Sequence, residues 1–89
     1  MSKEIILVVD DDERICRMLE RYLSKQGFEV KPAYSGEGIE KIIADLQPSL
    51  LLLDLNLPGE HGFDIAKRVR ALDKKIGIVI LTGSGDSID

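Results

Sequence analysis

The chain has 89 residues, enough for one small domain, and its 44% hydrophobic and 31% charged residues are typical of a globular protein. The net charge of −4 argues against a nucleic-acid-binding surface, and no apolar run approaches the length needed to cross a membrane. The single cysteine, Cys16, excludes an internal disulfide, and Lys3 and Glu4 lead into a short strand instead of a signal-peptide core. We therefore expect a cytoplasmic protein.

The first predicted element is a strand that ends in three consecutive carboxylates. Residues 5–9 are all apolar and mostly β-branched, which predicts a strand buried on both faces. Asp10, Asp11 and Asp12 follow at its carboxyl end, where open α/β sheets bind ligands. Two carboxylates about 4 Å apart repel by about 4 kcal/mol at an effective dielectric constant near 20. A hard divalent cation with oxygen ligands is the natural partner, unless Asp12 caps the next helix and the other two acids are solvated.

Two amphipathic helices and an edge strand are predicted next. The first helix has five apolar residues at helical spacing, which we expect to face the core: Ile15, Met18, Leu19, Tyr22 and Leu23. Gly27 ends this helix, and residues 28–33 alternate in polarity. Pro32 favours an edge position for that strand, since proline cannot donate to a sheet ladder. The second helix is expected to open at Ser35 and Gly36, and Pro48 prevents its continuation.

The second half of the chain predicts two more strands around a third helix. Residues 50–53 form a leucine run that leads into Asp54 and is expected to be a central strand. Residues 56–62 are predicted to form a loop with a Pro-Gly turn, and the third helix begins near Phe63. Its expected inward face consists of Ile65, Ala66, Val69 and Leu72. The fourth strand, residues 76–81, is apolar on both faces.

The alternation of strands and helices predicts an α/β fold with a doubly wound parallel sheet of strand order 2-1-3-4. In that order the first and third strands are neighbours, so Asp10, Asp11 and Asp54 meet at the switch point where ligands bind. Such carboxylates can hold Mg²⁺, and an Asp54 oxygen could attack phosphorus to give an aspartyl phosphate. Thr82, directly after the fourth strand, could donate a hydrogen bond to a phosphoryl oxygen.

Three segments resemble the receiver domain of response regulators, the phosphoacceptor module of two-component signalling. They are ILVVDDD at residues 6–12, LLLDLNLPG at residues 51–59 together with Gly62, and VILTG at residues 79–83. They occur in the family's order and spacing, and the resemblance covers the whole chain. It implies a flavodoxin-like fold and a stoichiometric phosphoacceptor, not an enzyme.

The resemblance also implies a role for each matching residue. Asp54 would accept a phosphoryl group from a histidine kinase, and Asp10 and Asp11 would hold Mg²⁺ together with Asp54. Asn56 would offer its backbone carbonyl to the metal, and Thr82 would be the switch hydroxyl that moves onto the phosphoryl group. An output domain or effector protein would read the switch, and this domain itself would contact neither nucleic acid nor membrane.

The chain also departs from the family pattern, which has five strand–helix units. Residues 1–89 contain only four strands, so we expect a single receiver domain that is incomplete at its C-terminus and lacks the last helix-strand-helix portion. The family's lysine and aromatic switch residue on the fifth strand are therefore not assigned. The fourth strand would become an open edge, and a homodimer paired through that edge is a hypothesis.

Two alternatives remain at this point, and a third is excluded. A receiver-like scaffold could bind partners without being phosphorylated. A haloacid-dehalogenase-like phosphatase also uses an aspartyl phosphate, but its Asp-x-Asp motif follows the first strand and here reads Asp54-Leu55-Asn56 on the third. A dinucleotide-binding domain needs a glycine-rich first turn, which is acidic in this chain.

Overall fold

A four-stranded parallel sheet forms the centre of the molecule, in a computed structural model that describes residues 3–81. The elements are β1 (Ile5–Val9), α1 (Glu13–Lys25), β2 (Glu29–Ala33), α2 (Ile39–Leu46), β3 (Leu50–Asp54), β4 (Asn56–Leu57), β5 (Glu60–His61), α3 (Gly62–Leu72) and β6 (Gly77–Leu81). Within this part of the chain, no helix is long and apolar enough to cross a membrane.

The sheet order is β2-β1-β3-β6, which confirms the predicted doubly wound topology with β6 as the fourth strand. β1 lies between β2 and β3, as expected for a strand that is apolar on both faces. β2 is an edge strand, so Pro32 costs no ladder hydrogen bond on its outer side. The topology therefore places the carboxyl ends of β1 and β3 side by side.

Each face of the sheet packs against its own helices because side chains alternate along a strand. Leu7 and Val9 of β1 belong to the core beneath α2 and α3, whereas Ile6 and Val8 belong to the core beneath α1. The α2–α3 core includes Ile39, Ile43, Leu51, Leu53, Ile65 and Val69. The smaller α1 core includes Cys16, Val30, Leu19 and Leu23.

The predicted inward faces of α1 and α3 are only partly correct. Met18 and Tyr22 are 58% and 61% exposed, because α1 packs over β1 and β2 and buries only the side that contacts them. Leu72, at the end of α3, is also exposed, as is Val79 of β6. Among residues 3–81, no second helix lies beside α1 to cover this flank of the apolar stripe.

The second helix begins later than Ser35 and Gly36, where it was predicted to open. Gly38 is the N-cap of α2 with a left-handed φ of 73°, so the helical conformation starts only at Ile39. The Ser35 hydroxyl accepts a hydrogen bond from the Glu37 N–H at 3.2 Å, a local turn that competes with helix formation.

The segment after β3 is a short hairpin, where a loop was predicted. β4 and β5 pair antiparallel, Asn56 opposite His61, and the predicted Pro58-Gly59 turn connects them with Gly59 at a φ of 80°. The side chain of Leu57 is buried in the α2–α3 core, which anchors the hairpin. This segment therefore has a defined position beside the end of β3.

Candidate functional site

Three carboxylates meet at the carboxyl edge of the sheet, as the sequence predicted. Val9 and Leu53 are partners in the β1–β3 ladder, so Asp10 and Asp54 follow at the same level of two adjacent strands. Asp11 completes the group, and one oxygen from each of the three carboxylates lies within 4.8 Å of the others. Asp10 and Asp54 are buried and Asp11 is exposed, so the cluster opens to solvent on one side.

The Asp10 side chain is fixed by the start of the next helix. Its Oδ1 accepts a hydrogen bond from the Asp12 N–H at 2.9 Å, and its own N–H donates to the Ala33 carbonyl at 3.0 Å. Burial raises the pKa of the Asp10 carboxyl, and the nearby negative charges of Asp54 and Asp11 raise it further against the opposing Asp12 hydrogen bond. The folded state therefore disfavours the charged form of Asp10.

The Asp54 side chain is fixed by the first residue of β4. It is 7% exposed, and its Oδ1 accepts a hydrogen bond from the Asn56 N–H at 3.2 Å. No lysine or arginine within residues 3–81 forms an ion pair with Asp10, Asp11 or Asp54. Converging carboxylate oxygens without a protein cation suit a hard divalent ion such as Mg²⁺, so these residues fit the metal that was predicted.

Asp12 has a different role from the other two acids of its run. It is the N-cap of α1, with its Oδ1 accepting from the Arg14 N–H at 2.9 Å, which confirms the capping alternative for this residue. The hydrogen bonds from the Arg14 side chain and N–H hold the pKa of the Asp12 carboxyl below its usual range. The run of three acids is thus divided between a helix cap and a site.

Cys16 lies beneath the site and does not participate as a nucleophile. Its thiol is buried and donates to the Asp10 carbonyl at 3.4 Å. Burial and the neighbouring carboxylates raise the pKa of the Cys16 thiol to about 11, which keeps it protonated at neutral pH.

The remaining predicted site residues have different outcomes. Asn56 lies two residues beyond Asp54, with an exposed side chain and its N–H on the Asp54 carboxylate. Thr82, the predicted switch hydroxyl, lies outside residues 3–81. His61 of β5 is exposed, and its Nδ1 caps α3 by accepting from the Phe63 N–H at 3.2 Å.

Sequence reasoning missed a second cluster of charged residues. The guanidinium of Arg68 contacts Glu40, Glu60 and the Gly36 carbonyl. Its partners are 8 to 32 residues away along the chain, so no local spacing pattern could have identified them.

Comparisons with known proteins agree with this arrangement. A family model described as the response regulator receiver domain matches residues 6–89. The DNA-binding response regulator MtrA of Mycolicibacterium paratuberculosis is 42% identical over 89 residues, which covers 98% of this chain and 38% of MtrA. The transcriptional regulatory protein AfsQ1 of Streptomyces coelicolor is 39% identical over 84 residues, which covers 94% of this chain and 37% of AfsQ1. The chain therefore spans little more than a third of these relatives' length.

Solved structures share the fold over most of this chain. A putative response regulator from Chloroflexus aurantiacus has a TM-score of 0.85 at 40% identity, covering 97% of this chain and 72% of that one. The response regulator TrrA of Thermotoga maritima, crystallised in complex with Mg(2+)-BeF, has a TM-score of 0.80 at 32% identity, covering 86% of this chain and 67% of that one. With its fold, its acid cluster and a family match over nearly its whole length, the chain belongs to the response regulator receiver domain family.

Proposed function

We propose that this chain is one receiver domain that accepts a phosphoryl group on Asp54 from a histidine kinase. Receiver domains of response regulators are generally non-enzymatic phosphoacceptors, and we extend that role to this chain. The observation that carries the proposal is the convergence of Asp10, Asp11 and Asp54 at the carboxyl edge of the sheet, where no lysine or arginine of residues 3–81 forms an ion pair with them. Stability alone does not explain it, because buried like charges repel each other.

Asp10, Asp11 and Asp54 would hold Mg²⁺, together with the backbone carbonyl of Asn56. When bound, the ion supplies positive charge that offsets the repulsion among the carboxylates and the phosphoryl oxygens. The similar response regulator TrrA was crystallised in complex with Mg(2+)-BeF, which supports Mg²⁺ as the metal for this chain too.

The Asp54 carboxylate would be the nucleophile of the transfer. One of its oxygens attacks the phosphorus of the kinase phosphohistidine, so a P–O bond forms while the P–N bond breaks. The electron pair of the broken bond stays on the histidine nitrogen, which takes up a proton from solvent. The hydrogen bond from the Asn56 N–H to Oδ1 fixes the orientation of the attacking carboxylate.

Phosphorylation would then bias a two-state switch by adding charge and acceptor oxygens beside the hairpin. The Thr82 hydroxyl would donate to the new phosphoryl group. A cytoplasmic output domain or effector protein would read the change, and the acidic receiver itself would contact no nucleic acid. Two relatives are described as a DNA-binding and a transcriptional regulatory protein, which supports a separate output module.

Intact-mass spectrometry after incubation with Mg²⁺ and acetyl phosphate tests the proposal. We expect a gain of one phosphoryl group that disappears in Asp54→Asn and persists in Asp12→Asn, since Asp12 caps α1. Mg²⁺ binding without any gain in mass would favour a scaffold that binds partners unphosphorylated. Continuous release of phosphate from added monoesters would favour a phosphatase.

We also propose that two copies pair through the outer edge of β6. Within residues 3–81, β6 pairs only with β3, and Val79 on this strand is exposed. An open edge of this kind favours pairing with another strand. Sedimentation equilibrium should then report a dimer that Val79→Lys dissociates, and a monomeric mass at high concentration would contradict the pairing.

A further inference from the structure

One arginine joins three segments of the chain around the β4–β5 hairpin. Arg68 of α3 donates from Nε to Oε2 of Glu40 in α2 at 2.8 Å, and from Nη1 to Oε2 of Glu60 in β5. Its Nη2 donates to the carbonyl of Gly36, in the segment before α2, at 3.1 Å. The guanidinium thus uses its fork of donors on two carboxylates and one backbone carbonyl.

Glu60 is the contact that connects this network to the site. It lies in β5 opposite Leu57 of β4, in the hairpin whose first residue is Asn56. The Asn56 N–H donates to the Asp54 carboxylate, so any movement of the hairpin also moves a contact of Asp54. Glu60 is less exposed than Glu40, with side chains 30% and 50% exposed, which makes its ion pair with Arg68 the better shielded of the two.

Gly36 packs closely against this network because it has no side chain. A Cβ placed on Gly36 would lie 2.9 Å from Glu60 Oε1 and 2.6 Å from Ile65 Cδ1. The absence of a side chain therefore lets the segment before α2 approach both the hairpin and α3. The Glu40 carboxyl responds to the same guanidinium, whose hydrogen bond lowers its pKa.

We propose that Arg68 is a positioning residue for the metal site, which holds the β4–β5 hairpin through Glu60 so that Asn56 stays in place beside Asp54. The inference rests on the proposed function, because it assumes that Asn56 contributes to binding Mg²⁺. Among residues 3–81, Arg68 forms no hydrogen bond or ion pair with Asp10, Asp11 or Asp54. It acts through Glu60 and the hairpin.

The direction in which Arg68→Met changes the Mg²⁺ affinity distinguishes a positioning role from long-range electrostatics. Arg68→Met removes a positive charge from the region of an acid cluster, which by long-range electrostatics alone would strengthen Mg²⁺ binding. Loss of positioning predicts the opposite, a dissociation constant about three to ten times higher. Groups that contact a metal ligand directly typically contribute 10–100-fold, and the effect of Arg68 should be smaller because it acts through Glu60 and the hairpin. Lys67→Met is the matched control, because Lys67 is an exposed neighbour on the same helix.

The experiment is isothermal titration calorimetry of the full-length protein with Mg²⁺ alone, at a temperature where circular dichroism shows each variant folded. We expect weaker binding in Arg68→Met and in Glu60→Gln, with no additional loss in the double variant, because both substitutions remove the same Arg68–Glu60 ion pair. Lys67→Met should bind at least as tightly as wild type. If Arg68→Met does not fold, Arg68→Lys replaces it, and one ammonium cannot reach all three acceptors, so intermediate weakening is expected.

The outcomes separate this inference from the proposed function. Wild-type protein that fails to bind Mg²⁺ would overturn both. Wild-type binding with unchanged or tighter binding in the Arg68 variant would overturn only the positioning role and leave Arg68 as an ion pair between helices. Additive losses in the double variant would overturn the route through Glu60.

Discussion

Replacing Asp54 with asparagine should make the metal-free protein more stable. The carboxylates of Asp10, Asp11 and Asp54 each place an oxygen within 4.8 Å of the others. At an effective dielectric constant near 20, two unit charges at that distance repel by about 3.5 kcal/mol. Asparagine is nearly isosteric, and its carbonyl oxygen can keep the hydrogen bond from the Asn56 N–H.

The gain in the free energy of unfolding should be smaller than the full repulsion energy of one carboxylate pair. Asp11 is exposed, so solvent screens the repulsion between its carboxylate and the other two. The raised pKa of Asp10 means that this carboxyl is protonated more readily, which removes part of the repulsion. We therefore expect Asp54→Asn to raise the free energy of unfolding by about 2 kcal/mol at pH 7 without Mg²⁺. Asp11→Asn is the matched control and should gain less than about 1 kcal/mol, because its charge is solvated.

Urea unfolding followed by circular dichroism, with EDTA and then with saturating Mg²⁺, measures the effect. Mg²⁺ should stabilise the wild type by mass action and stabilise Asp54→Asn less, so the two curves should approach each other. A metal-free Asp54→Asn protein that is equally or less stable than wild type would refute the repulsion argument. It would mean that hydrogen bonds within the cluster outweigh the like charges.

Three further predictions follow from single contacts. Because the pKa of the Asp10 carboxyl is raised, the folded protein binds a proton at this position more tightly than the unfolded chain does. The destabilisation caused by the charged carboxyl is therefore absent below pH 3.8 and grows as the pH rises through the raised pKa. The stability advantage of Asp10→Asn over wild type in urea titrations should grow over the same pH range. His61→Ala should lower the free energy of unfolding by about 1 kcal/mol because the Phe63 N–H loses its cap, and His61→Asn should recover it. Gly62→Ala should lower it by about 1–3 kcal/mol, since a Cβ there would lie 2.7 Å from the Asp54 carbonyl, and unchanged thermal unfolding would show that the close approach can relax.

The sheet and the acid cluster could be predicted because both follow from local patterns. Right-handed crossovers and the edge preference of Pro32 predicted the order that the structure has, β2-β1-β3-β6. Once β1 and β3 are neighbours, Asp10 and Asp54 must meet, because parallel strands end at the same edge of a sheet. The division of the acid run between a site and a helix cap remained open until the geometry of Asp12 was seen.

Other features depended on packing between distant segments. Periodicity placed Met18 and Tyr22 inside, but the neighbours available in space determine how much of an apolar stripe is buried, and both side chains are exposed. The start of α2 shifted because a left-handed Gly38 outweighed the pattern before it.

Tertiary structure also determined what lies around the acid cluster. The hairpin after Asp54 formed because Leu57 is buried in the α2–α3 core, a contact that no turn signal contains. Arg68 reaches Glu40 and Glu60 only because α2 and α3 pack on the same face of the sheet. The sequence by itself determined which acids meet, since the predicted strand order makes the first and third strands neighbours. Only the tertiary structure determined what holds them in place, since those contacts join residues that are far apart along the chain.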